Sequence, residues 1–180
     1  DEPNGDDLTV LTLHYNLRHL EADTLIHQSR QKIKAADHVA ARATAMAALA
    51  VRPEHQDALI IVGKLALVER DYKTAAEYLA HACAFDDHVD PQILLLAGHA
   101  SYKADDISSA KRFLKLLVAD EPQNLKASLL LIRCYVRANE PHKALRTLNA
   151  AMKYAPQNEK LHQVAAYLAK SKKTLIPAKI

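Results

Sequence analysis

The side chains of this 180-residue chain that could bind a metal or do chemistry include ten histidines, two cysteines and twenty-one acidic residues. Their spacing does not organise them. No HExxH occurs, and no two histidines stand at i, i+4 on one helix. His14 and His19 are five apart and point to different faces of a helix. Asp86, Asp87, His88 and Asp90 could hold a cation, but Asp86 to Pro91 has the composition of a solvated loop. Cys83 and Cys134 lie far apart inside apolar helical patterns, without CxxC spacing, and are expected to be reduced, packed thiols. That fits a reducing compartment. No GxxxxGK[ST], GxGxxG or GxSxG is present, so nucleotide phosphates have no cradle and a serine nucleophile has no elbow. Ser29, Ser101, Ser108, Ser109 and Ser128 are single helical serines without a base. The expectation is a chain with no catalytic residues, no metal and no cofactor, and no enzymatic activity.

The elements must therefore be read for what they build. Apolar residues make up 49% and charged residues 25%, the usage of a globular chain. With only 3 glycines, a hairpin-rich β fold is disfavoured. Tryptophan is absent, so Leu, Ala, Ile and Val must fill the core. A formal net charge of +3 is too small to make a polyanion binder by itself. No run of 18 apolar residues exists to span a bilayer. The opening Asp1-Glu2-Pro3-Asn4-Gly5-Asp6-Asp7 has no Met and no apolar signal stretch. It predicts a processed or excised chain, cytoplasmic, or periplasmic if a signal or anchor was removed before residue 1.

A repeat of 34 to 35 residues runs through the chain. Pro53, Pro122 and Pro156 mark three boundaries, and the loop near Asp87 supplies the unmarked one. Ala41, Ala75, Ala110 and Ala144 recur at 34, 35 and 34. Ala45, Leu79, Leu114 and Leu148 follow four residues behind. Ala48, Ala82, Leu117 and Ala151 follow three behind those, and Gly63 and Gly98 are 35 apart. Each unit reads as two helices: Gln56–Glu69 and Thr74–Phe85, Gln92–Lys103 and Ser108–Ala119, Leu125–Arg137 and His142–Ala155. Pro141 suits a first helical turn, while Pro122 and Pro156 fall just past helix ends.

These residues resemble the tetratricopeptide repeat family. The unit from Pro91 carries Leu94, Ala97-Gly98, Ala110, Leu114 and Pro122. The unit from Leu125 carries Leu131, Tyr135, Ala144, Leu148, Ala151 and Pro156, with Ile132 in place of the small residue. The unit near Gln56 keeps Val62-Gly63, Ala75, Leu79 and Ala82. A degenerate first unit near Ala22 keeps Ala41, Ala48 and Pro53, with only Leu25 and Ser29 on its first helix. The resemblance implies an all-α, right-handed α-solenoid of antiparallel helix pairs. Residues 1–7 are expected to be disordered and 8–172 to form a single domain. That domain has a leading helix at 8–20, repeats at about 22–55, 56–90, 91–124 and 125–158, and a capping helix at 159–172. Residues 173–180 form a basic tail. Val10, Leu13, Leu17 and Leu20 make the leading helix amphipathic, either as a cap packed on the first unit or as a dimerisation or partner helix. The last helix sets Leu161, Val164, Ala165 and Leu168 inward and Lys160, His162, Lys170, Lys172 and Lys173 outward, as a solvated cap would.

In this family the first helices of the repeats line a groove. Comparing equivalent positions gives a basic ladder of Arg30, Lys64, His99 and Arg133, at spacings of 34, 35 and 34. Apolar rows flank it: Ile26, Ile60, Leu95 and Leu129 four residues before, and Ile33, Leu67, Tyr102 and Val136 three after. One further along stand Lys34, Val68, Lys103 and Arg137. Residues three and four apart share a helix face. An extended or helical peptide with apolar anchors and acidic residues would complement such a groove. The alternative is that the apolar rows are interhelical packing and the cations a solvated face. Ile26, Arg30, Ile61, Gln92 and Leu96 stand where a clamp for chaperone C-terminal carboxylates needs lysine, asparagine and arginine, which argues against that specialisation. The expected function is a non-catalytic scaffold holding a partner polypeptide. Its size and layout also resemble bacterial secretion chaperones and pilus or secretion-system assembly factors. RNA binding is the alternative from another class; the low net charge and the lack of a recurring aromatic argue against it. A helical interaction domain of a larger protein is the third.

Overall fold

Small residues at crossing points let paired helices touch, and their register dictates the architecture. The computed structural model describes residues 5–84 and 89–174, with side chains for 8–84 and 89–170. Among them are nine helices and no strand. The chain divides into two compact units, Asp1–His88 and Val89–Ile180. The first holds α1 (Gly5–Lys34), α2 (His38–Val51), α3 (Gln56–Val68) and α4 (Tyr72–Ala82). The second holds α5 (Pro91–Lys103), α6 (Ile107–Asp120), α7 (Leu125–Arg137), α8 (Pro141–Tyr154) and α9 (Glu159–Thr174). Consecutive helices pair as α1 with α2, α3 with α4, α5 with α6 and α7 with α8; within the second unit α6 also packs on α7, and α9 closes on α8.

Ala41, Ala75, Ala110 and Ala144 are completely buried where their helices cross. The first pair draws close enough for the Ser29 hydroxyl to donate to the Ala41 carbonyl at 2.7 Å. Gly63 and Gly98 are needed for close approach. A methyl group built on Gly63 would stand 2.6 Å from Leu79 Cγ, and one on Gly98 would stand 2.7 Å from Leu114 Cγ.

The turn between the helices of each pair is a second repeating device, invisible as a glycine signal. Ala36, Arg70, Asp105 and Asn139 have φ of 59°, 62°, 68° and 56°, the left-handed conformation that closes a helix. The next residue's N–H donates back to close the last turn: Asp37 to Lys32, Asp71 to Ala66, Asp106 to Ser101 and Glu140 to Tyr135. That same residue starts the following helix. The carboxylates of Asp37, Asp71 and Asp106 accept from the N–H of Ala40, Thr74 and Ser109, satisfying donors the helix cannot. The fourth turn departs from this. Glu140 does not cap; Pro141 opens α8, and Glu140 bonds Lys111 and Lys143 at 2.5 and 2.7 Å.

Side-chain and backbone hydrogen bonds from Ser109 hold the Asp106 carboxyl below its usual range, and those from Thr74 do the same for Asp71. In the unfolded chain both return to about 3.9. Their folded values are the lower ones, so their stabilisation is complete above about pH 4 and is lost as pH falls through the folded values. Asp106→Ala should therefore cost about 1 kcal/mol at neutral pH. The cost should shrink steadily on acidification below pH 4, read from urea midpoints.

Three boundaries differ from the sequence expectation. The leading helix at 8–20 and the first helix of the first repeat are one unbroken α1, because residues 6–35 contain neither glycine nor proline to stop it. It starts at Gly5, inside the stretch expected to be disordered. Pro91 is the first residue of α5 and not loop, with Asp90 accepting from the Gln92 N–H at 2.7 Å. The Asp86–Asp87–His88 segment, Phe85 and the end of the basic tail lie outside the described residues.

Candidate functional site

Alternation of buried and exposed positions on α5 and α7 sets the chemistry of the second unit. Ile93, Leu94 and Ala97 on α5, and Leu130, Leu131, Ile132 and Cys134 on α7, fill the core. Leu95, His99 and Tyr102, and Leu129 and Val136, stay half-buried along one edge, with Arg133 exposed between them. Two adjacent recesses form there. One of about 380 Å³ is lined by Leu95, Leu96, His99, Lys126, Leu129, Leu130, Arg133 and Lys160. The other, of about 500 Å³, is lined by Tyr102, Ile132, Arg133, Val136, Arg137, Gln163, Val164 and Tyr167. Arg133 belongs to both, and neither lining contains a carboxylate.

Burial, with the charge of Lys103 in second place, lowers the His99 pKa from its ordinary value. At neutral pH its ring is an uncharged polar surface, and the fixed positive charge comes from Lys126, Arg133 and Lys160. Arg137 is already engaged. Its guanidinium meets Asp105 at 2.9 Å, lies 5.4 Å from the Tyr102 ring centre and donates to the Tyr102 carbonyl at 3.4 Å. It joins α7 to the end of α5 as well as lining a recess. Lys103 is exposed and lines neither recess.

The first-unit rungs have other surroundings. Arg30 is bound to Asp57 at 2.9 Å. Lys64 is exposed, while Ile60 and Ile33 pack partly against the core that contains Ile26. The packing alternative holds for those apolar rows. The ladder also has a companion that sequence comparison missed. Asp57, Gln92, Lys126 and Lys160 recur at 35, 34 and 34. The series opens with the carboxylate that neutralises Arg30 and ends with two lysines beside Arg133. Lys160, expected on the solvated outer face of the last helix, is exposed and also borders the recess.

Cys134 is buried, and burial pushes its thiol up to about 11; at neutral pH it is a protonated, packed thiol. Cys83 is half-buried. No group of three or more His, Cys, Asp or Glu among the described residues could hold a metal ion, and none of the described helices is long and apolar enough to cross a membrane.

The family model of the tetratricopeptide repeat matches residues 101–168. Solved structures extend the likeness to nearly the whole chain. YrrB, described as a TPR protein with an unusual peptide-binding site, superposes with a TM-score of 0.76 at 16% identity, over 92% of this chain and 84% of its own. This chain has the tetratricopeptide repeat fold. MamA matches with a TM-score of 0.75 at 18% identity, over 85% and 83% of the two chains. PilF of Pseudomonas aeruginosa matches at 0.61 and 17%, over 87% and 71%. No curated protein sequence is significantly similar to this one.

Proposed function

We propose that the chain is a non-catalytic scaffold that binds an acidic peptide segment with apolar anchors along α5, α7 and α9. The observation that carries this reading is the pair of recesses joined at Arg133, apolar in their walls and lined by Lys126, Arg133 and Lys160 with no carboxylate. Apolar side chains would enter the two recesses while carboxylates meet Arg133 and its lysine neighbours. The peptide-binding site named for YrrB supports the same kind of ligand. The size and layout, together with the fold likeness to PilF, support a setting in secretion or pilus assembly.

An array of peptides combining acidic and apolar residues tests the binding mode. Arg133→Glu should weaken capture of the best peptides at least about tenfold, and Lys64→Glu, on the other unit, should not. Undiminished binding by the Arg133 variant would refute the site.

A specific observation favours self-association as well. Residues 8–18 of α1 are exposed on every side, and Val10, Leu13, Leu17 and Leu20 are each 54–65% exposed. Their 3-4-3 spacing is the seam of a helix pair. Leu8, Leu11 and Tyr15 lie on the opposite side, with the Tyr15 ring against His19. We infer that a second copy of the chain covers the Val10–Leu20 stripe.

A further inference from the structure

The second unit carries another recess, on the side formed by α6, the α7–α8 turn and the start of α8. It encloses about 590 Å³. Small side chains create it: Ser108 and Ala119 leave space along α6 that Leu116, 56% exposed, borders without filling. Its lining holds four cations, Lys111, Arg112, Lys115 and Lys143, against the single carboxylate of Glu140. The lining is therefore locally basic, a field that attracts a negatively charged partner.

The cations divide into two roles. Lys111 and Lys143 both bond Glu140, which they hold ionised, and together they tie α6 to the start of α8. Arg112 and Lys115 are exposed on α6 beside this locked group, and among the described residues neither closes an ion pair; the Arg112 guanidinium lies 4.7 Å from the Phe113 ring centre. Both present exposed positive charge to a partner, and Leu116 and Ala119 offer apolar contact beside them. Tyr135 is the only aromatic in the lining and is 7% exposed, so no ring is presented for a base to stack on.

We propose that this recess is a second docking surface, separate from the Arg133 groove, for a carboxylate-rich polypeptide segment that places one apolar side chain against Leu116 and Ala119. Opposite charge and an adjoining apolar contact are the complement such a segment offers.

A fluorescein-labelled peptide of repeated Glu-Glu-Leu is the probe, read by anisotropy and by amide shift changes in the full chain. Shift changes are expected at Arg112, Lys115 and Leu116. R112E/K115E should weaken that binding at least about tenfold, while leaving Lys111, Lys143 and the helix content in place. R133E should leave these shifts unchanged, so failure here and failure of the groove are read separately. Shift changes confined to α5, α7 and α9 would overturn the proposal. So would equal binding by the double variant, or a preference of the same residues for polyuridylate or inorganic phosphate over the peptide.

Discussion

Gly98→Ala should destabilise the chain in its native background and stabilise it once Leu114 is shortened. The added methyl meets Leu114 Cγ at 2.7 Å and Cδ2 at 2.8 Å, closer than carbon atoms tolerate. Leu114 is fully buried and cannot swing away. Overpacking of this kind costs about 1–3 kcal/mol. Against it stands a gain of about 1 kcal/mol for replacing a mid-helix glycine by alanine. Leu114→Ala alone should cost about 2–5 kcal/mol through lost burial and a cavity. With both changes the clash is gone and the helix gain remains, so the second substitution reverses sign. Urea unfolding of the four proteins in this cycle measures it. Additive effects would show that α5 and α6 do not meet at this pair.

The same pair shows why the fold could be read from the chain. Gly63 and Gly98 stand opposite Leu79 and Leu114, and Ser29 occupies the equivalent place opposite Ala45. Packing demands a small partner at each crossing, and such a demand repeats wherever the crossing repeats. Ile132 breaks the pattern while remaining buried with Leu148, so the signal fades in the last pair without the helices ceasing to pair. The turns were harder to read. A left-handed residue normally announces itself as glycine, but Ala, Arg, Asp and Asn occupy the four places here, and the recurring feature is the acidic residue that follows.

The candidate site was legible only in part. Position within the repeat placed His99, Arg133, Leu95, Leu129, Tyr102 and Arg137 on the recesses of the second unit. It could not show that Arg30 is bound to Asp57 or that Arg137 is engaged with Asp105. Those pairs join residues 27 and 32 positions apart, and a period of 34 does not align them. The recess on α6 escaped because Arg112 and Lys115 have no basic counterparts in the preceding unit, where Glu77 and Ala80 stand 35 positions before them.

Replacing Leu13 and Leu17 by alanine should convert a dimer into a monomer without loss of helix. A helical segment of this length is marginal in water when nothing packs on it. In residues 8–18 every side chain is exposed, yet several are large and apolar. Pairing two copies along Val10, Leu13, Leu17 and Leu20 removes that surface from water. Each leucine fully buried contributes about 1.5–3 kcal/mol, and the double substitution removes two from each copy. The loss is then about 6 kcal/mol or more, which corresponds to dissociation weakened by over about a thousandfold. Alanine is the best helix former, so circular dichroism of the repeats should be retained. Sedimentation equilibrium reads the outcome: a concentration-dependent dimer for the native chain and a monomer for the variant. A native chain that stays monomeric at high concentration would remove the second copy as the occupant. Leu8→Ala and Leu11→Ala, on the opposite side of α1, should leave the dimer intact, because they lie away from the seam.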